Sequence, residues 1–262
     1  MRNRRLGIIL VIIILALIAL AVIVNRAASS SDKDETGVKV TETEKPKNGG
    51  IFSKNTPEPT PPPEPTPTFT VAPEGYFDDA LIIGDSRTEG IKLCAPIPGA
   101  TIFSSVGMGV TGAFYETCSV PGVGSVNLDY LLQAKQFGKV YIMLGINEIA
   151  SPIEDLAARF GSLVEKIKEA QPDAIIIIEA NLRVTANYNS TWVTNERIDA
   201  FNEAVSKFAD NEKVFYLDVN PLFDDGTGAG LSPAISPDGL HVPAAQYAEW
   251  AQWIMNNAVV FQ

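Results

Sequence analysis

The sequence predicts an α/β domain: a five-stranded parallel sheet with helices on both faces, a three-layer α/β/α sandwich. Two patterns carry this. Five short segments, ALIIGDS (80–86), TIFSSV (101–106), KVYIMLG (139–145), AIIIIEA (174–180) and KVFYLDV (213–219), are apolar and rich in β-branched residues, as strands covered on both faces are. Helix-like patterns lie between them, and strand and helix alternation implies parallel pairing through right-handed crossovers. Such sheets bind ligands beyond the carboxyl ends of their strands, and the unusual residues of this chain stand there.

Each element has its own signal. The first strand closes in Gly84-Asp85-Ser86-Arg87, where the Gly lets the backbone bend into a helix that Ser86 could cap. Asp129 falls in a helical segment. The clearest helix opens at Ser151-Pro152-Ile153-Glu154, which reads as N-cap, Pro at the first helical position and capping-box Glu154; it runs to about residue 170, before Pro172. Another covers about 194–209. A last one follows Pro243 and carries Tyr247, Trp250 and Trp253 at helical spacing, which reads as core packing.

The chain before this domain has a different composition. Residues 6–24 are nineteen residues without a charge, close to the roughly 30 Å hydrocarbon thickness at about 1.5 Å per residue. Arg2, Arg4 and Arg5 precede them, so residues 1–5 are expected in the cytoplasm, 6–24 as a transmembrane signal-anchor helix, and the rest outside the cell membrane. The run exceeds the apolar length of a cleaved signal, and Asn25-Arg26 stands where a small-residue cleavage site would fall. Residues 25–73 read as a disordered linker, since nine of the eighteen prolines fall in 27–73 among Thr and Glu and leave too little apolar surface to offset ordering entropy. Such a stalk reaches on the order of 150 Å if extended and nearer 40 Å as a coil. The folded domain is then 74–262, large enough to bury about 70% of its unfolded surface without a metal or disulfide.

Charge and composition exclude several functions. The net charge of −11 argues against nucleic acid, whose phosphates need clustered Lys and Arg. One His and no Cys-x-x-Cys exclude the usual zinc frameworks. Gly107-Met-Gly109-Val-Thr-Gly112 matches the dinucleotide fingerprint but follows the second strand, and no acidic residue closes the next one, which ends LGIN. No cofactor is implied. Cys94 and Cys118 flank the second strand and either bridge in an oxidising exterior or remain small thiols.

One constellation carries chemistry. Ser86 ends the first strand, and a serine hydroxyl needs a nearby base before it can attack an ester. The single His, His241, stands in Asp238-Gly-Leu-His241, where Asp238 could orient the imidazole and stabilise its cation.

From about Tyr76 onward the chain resembles the SGNH (GDSL) hydrolases, whose fold is flavodoxin-like. Gly84-Asp85-Ser86 resembles the first family block, Gly107 the second, with Gly109 an alternative, Gly145-Ile-Asn147-Glu148 the third, and Asp238-Gly-Leu-His241 the last. The resemblance implies Ser86 as nucleophile, His241 as base, and Asp238 as its orienting partner. It implies an oxyanion hole from the backbone N–H groups of Ser86 and Gly107 and the Asn147 amide, each donor worth roughly 3 kcal/mol. Two positions depart from the family: Glu148 replaces the usual Asp, and Arg87 replaces an apolar residue. Arg87 is expected near the pocket rim, as a structural pair with Glu89 or Glu148 or as a clamp for an anionic substrate group. Together with the anchor and stalk, the resemblance implies removal of short acyl groups, acetyl foremost, from a carbohydrate or cell-wall polymer. Acyl transfer onto such a polymer by the same triad, or a non-catalytic carbohydrate-binding module, are the alternatives.

Overall fold

A computed structural model describes residues 66–262. The apolar run 6–24 and most of the expected linker lie outside the described residues; among those described, no helix is long and apolar enough to cross a membrane. The five expected strands are present: β2 (Ala80–Gly84), β3 (Thr101–Ser104), β6 (Lys139–Met143), β7 (Ile175–Glu179) and β8 (Val214–Leu217). All pair parallel, in the order β3-β2-β6-β7-β8. Each stops short of the apolar segment that predicted it, because its carboxyl end turns into a loop of the site.

Side chains of each strand alternate between two cores. Leu81, Ile83, Val140, Ile142, Ile176 and Ile178 face helices α2 (Leu128–Ala134), α3 (Ile153–Ala170) and α4 (Asn195–Ser206). Ile82, Tyr141, Met143, Ile177 and Phe215 face α1 (Ser86–Cys94) and α5 (Ala244–Asn256). The expected three layers follow, with α3 against α4 on one face and α1 against α5 on the other. Tyr247 and Trp250 are buried and Trp253 packs against the same cluster, so the aromatic stripe of α5 is core. A side chain as fully buried as Phe160, 1% exposed, contributes on the order of 2 kcal/mol.

The sheet reverses its direction of growth between β2 and β6, neighbours in space but separated in sequence by β3. A crevice opens at such a point beyond the carboxyl ends, and Ser86 and Asn147 follow those two strands.

Several local expectations change. The linker does not extend to 73: Pro67–Thr70 form strand β1, antiparallel to β9 (Ala258–Phe261). Pro67 is tolerated because it opens an edge strand, and Phe69 and Phe261 each set an aromatic edge against Phe215 of β8. Helix α3 lacks the Ser151 cap and the Glu154 box. Its N-cap is Pro152, in extended conformation with no side-chain hydrogen bond, because the Ser151 backbone is engaged elsewhere: its N–H donates to Glu148 O and its carbonyl accepts from Arg197. Thr194 does cap α4. A short hairpin, β4 (Thr117–Val120) with β5 (Gly124–Asn127), escaped prediction because its second strand is largely exposed and opens on Gly.

Cys94 is exposed at the end of α1 and Cys118 buried in β4, and neither is bridged. Burial, with the Glu116 carboxylate nearby, pushes the Cys118 thiol up to about 11, which suppresses the reactive thiolate. The native protein is therefore expected to react with Ellman's reagent at one thiol promptly and at the second only on unfolding. No titratable thiol in the unreduced, unfolded chain would instead demonstrate a disulfide.

Candidate active site

Ser86 is presented by packing before chemistry. A Cβ on Gly84 would lie 1.9 Å from Thr88 Oγ1 and 3.1 Å from Met143 O, so only Gly lets the first turn of α1 sit this close to the strand ends. The helix is capped by Asp85, whose Oδ1 accepts from Arg87 N at 2.9 Å. Ser86 is thus the first helical residue and not the cap: its hydroxyl is released from capping, and its backbone N–H has no intrahelical acceptor.

The released hydroxyl meets the only histidine. Ser86 Oγ lies 2.8 Å from His241 Nε2, and His241 Nδ1 lies 2.7 Å from Asp238 Oδ2. A carboxylate only accepts, so Nδ1 carries the proton and Nε2 is left to accept from the serine hydroxyl. Asp238 also shapes the turn that holds the ring: its Oδ1 accepts from the N–H groups of Leu240 at 2.9 Å and His241 at 2.7 Å. Ser236 Oγ donates to His241 O at 2.7 Å. Partial burial pulls the Asp238 carboxyl upward, but the His241 N–H, the imidazole and the Leu240 N–H outweigh it and bring it down to about 2.

The second and third blocks are joined by direct bonds. Asn147 Nδ2 donates to Met108 O at 2.9 Å, which leaves its other amide hydrogen for a ligand. Glu148 accepts from Val110 N at 2.5 Å and from Thr111 N. Of the two glycines, Gly109 is buried against this carboxylate, where a Cβ would meet Glu148 at 2.6 Å. Gly107 is exposed at φ +85° with open space around it, and its N–H donates to none of the described residues. The segment then enters the 3-10 turn Gly112–Phe114 and no helix, so the dinucleotide pattern lacks the helix N-terminus that would bind a pyrophosphate.

Residues 82–249 match the GDSL-like lipase/acylhydrolase family. The chain belongs to that family. As a GDSL-family member it is a carboxylic-ester hydrolase. Its fold is similar to that of a Bacteroides fragilis protein assigned as an acylhydrolase, at 18% identity over 70% of this chain and 87% of that one, TM-score 0.54. It is also similar to a GDSL-like lipase from Bacteroides thetaiotaomicron, at 16% identity over 68% and 87%, TM-score 0.51. No curated protein matches the sequence.

Within this GDSL hydrolase Arg87 is neither at a rim nor paired with Glu89 or Glu148. It is 1% exposed and bonded to Asp85, itself fully buried, through Nε at 3.2 Å and Nη2 at 2.9 Å. Nη2 also donates to Asn181 Oδ1 at 2.8 Å and Nη1 to Leu182 O at 3.2 Å. Glu89 instead meets Lys92 and Ser104. The expectation of a structural pair holds in kind and fails in partner. The partner lay two residues away in sequence, but Asn181 lies 94 away and had no motif to mark it. Glu179 is also buried, and burial pushes its carboxyl up to about 7 against the opposing pull of Trp250 and Arg87.

Two outcomes follow for the GDSL hydrolase. Arg87→Ala strands the Asp85 carboxylate without its partner and is expected to cost about 3–5 kcal/mol in denaturant unfolding, with equal loss of rate on neutral and carboxylate-bearing esters; a loss confined to the anionic ester would identify a substrate clamp. For Glu179 the folded value near 7 lies above the ordinary 4.5. Between these the folded state holds a proton that the unfolded state has released, so its contribution falls as pH rises from about 4.5 to about 7. Glu179→Gln stays neutral and should abolish this fall, at most about 3 kcal/mol, read as the difference between variant and parent in guanidinium unfolding at pH 5 and pH 8. Parallel profiles would refute it.

Proposed function

We propose that the chain is a serine esterase that removes short acyl groups, acetyl foremost, from a carbohydrate or cell-wall polymer, with Ser86, His241 and Asp238 as its triad. The observation that carries this is the unbroken relay from Ser86 Oγ through His241 to Asp238, at 2.8 and 2.7 Å. Ser86 Oγ attacks the acyl carbonyl while His241 Nε2 takes its proton, and the imidazolium so formed is stabilised by Asp238. The developing oxyanion is held by the Ser86 and Gly107 N–H groups and the Asn147 amide. Collapse breaks the ester C–O bond as the departing sugar oxygen takes the proton from His241 and leaves as a hydroxyl, and water repeats the sequence on the acyl-enzyme, releasing the acid and restoring Ser86. Gly107 is preferred to Gly109 here because Gly109 is closed off by Glu148.

The carbohydrate or wall setting is supported by the chain ahead of the domain. Three arginines, the apolar run 6–24 and a Pro/Thr/Glu segment suit a single-pass anchor that displays the hydrolase outside the cell membrane on a stalk.

Ser86→Ala and His241→Ala are each expected to lower kcat/KM on a short aryl ester by at least about a thousandfold, and Asp238→Ala by less. Asp238, held near 2, stays ionised across the working pH range and keeps its hold on the imidazole. An undiminished rate in folded His241→Ala would overturn the triad.

A further inference from the structure

A cleft of about 620 Å³ opens on the Asp238 side of the triad, with Asp238 in its wall and Ser86 and His241 outside its lining, a size within the range of small-molecule sites. Its other walls come from the loop after β7, which contributes Thr185, Asn187, Tyr188 and Asn189, and from the turn before His241, which contributes Ser236. The two are fastened together, since Thr185 N donates to Gly239 O at 2.9 Å. Tyr188 packs against the core, so its ring is fixed in place. Asn187 and Asn189 are exposed, and their side-chain amides bond to none of the described residues. No Lys or Arg lines the cleft.

This composition selects a ligand class. With a carboxylate and no cation in the wall, a phosphate- or carboxylate-rich polymer is repelled. An apolar acyl chain would desolvate amides and hydroxyls without replacing their hydrogen bonds. A neutral polyhydroxyl ring satisfies them, because each amide offers both donors and an acceptor, and the Tyr188 ring supplies an apolar wall beside polar groups.

We propose that this cleft is a subsite for a neutral oligosaccharide, holding a sugar unit beside the one whose ester lies at Ser86. It rests on the esterase reading above, because Asp238 belongs both to the cleft and to the proposed triad. The subsite makes the substrate a chain of sugars, since a lone acylated sugar at Ser86 would leave it empty.

The test uses the full chain and an Asn187→Ala/Asn189→Ala double variant. Their kcat/KM is compared on O-acetylated cello-oligosaccharide, on an O-acetylated methyl monosaccharide and on an aryl acetate, whose rate also reports folding. The double variant is expected to lose about tenfold more on the oligosaccharide than on either small ester, chiefly through KM. Binding of unacetylated cello-oligosaccharide to Ser86→Ala, measured by calorimetry, should weaken to a similar degree when the two Asn changes are added. Equal losses on all three substrates, or tighter binding of a glycerol-phosphate polymer than of the neutral oligosaccharide, would overturn the subsite. If the parent fails to hydrolyse even the aryl acetate, the esterase reading fails, and the binding measurement, which needs no turnover, still decides the subsite.

Discussion

The buried ion pair between Asp85 and Arg87 is the interaction on which the site is built. Both charges are withdrawn from water, at a cost of several kcal/mol per ion, and the geometry offsets it: Asp85 caps α1 and grips the guanidinium, whose remaining donors reach Asn181 and Leu182. Asn181 continues the network. Its Nδ2 donates to Leu144 O at the end of β6, its N–H to Asn202 on α4, and its carbonyl accepts from Asn202 and Asn220. One chain of charge-assisted and amide bonds thus ties the carboxyl ends of β2, β6 and β7 together beneath Ser86. Ser86 stands on a platform with few free polar atoms, which fixes its own position at the strand ends.

Glu148 has an analogous role on the other side. Here a Glu carboxylate, in place of the Asp usual in the family, takes up the N–H groups of Val110 and Thr111 that a loop without secondary structure would otherwise leave unpaired. It also closes the space beside Gly109, so the exposed donor is displaced to Gly107. Asn147 secures the same segment through Met108 O. The departure from the family pattern thus leaves Asn147 bonded to this segment and Gly107 the more open of the two glycines.

How much was legible follows from the range of each signal. The five strands announce themselves because burial on both faces demands unbroken Val, Ile and Leu, a local pattern. Ser86 and Asn147 were singled out by short motifs at strand ends and His241 by one near the C-terminus, and the structure brings Ser86 and His241 together across 155 positions. What failed was decided by contacts without sequence spacing. Ser151 lost its cap because Glu148 and Arg197 compete for its backbone. Residues 67–70 escaped the linker because Ala258–Phe261 pair with them from the far end of the chain. Arg87 found Asp85 because it is buried beneath the strand ends, which no local pattern reports, while Glu89 and Glu148 are taken by other partners.

Under the proposed mechanism an acidic chain has to stabilise a developing oxyanion, and charge compensation bears on how it does so. An uncompensated carboxylate near Ser86 would raise the barrier, and more so away from bulk water. Each neighbouring carboxyl is dealt with differently. Asp85 is matched by Arg87. Glu148 is bound by backbone N–H groups of its loop. Glu179, with a carboxyl near 7, remains substantially protonated around neutrality. Asp238 is the carboxylate in contact with the imidazole, on the side of the ring away from Ser86. Under the proposed mechanism its charge therefore attracts where His241 becomes a cation and is held off from where the carbonyl becomes an anion, the ordering that acyl transfer by a serine requires.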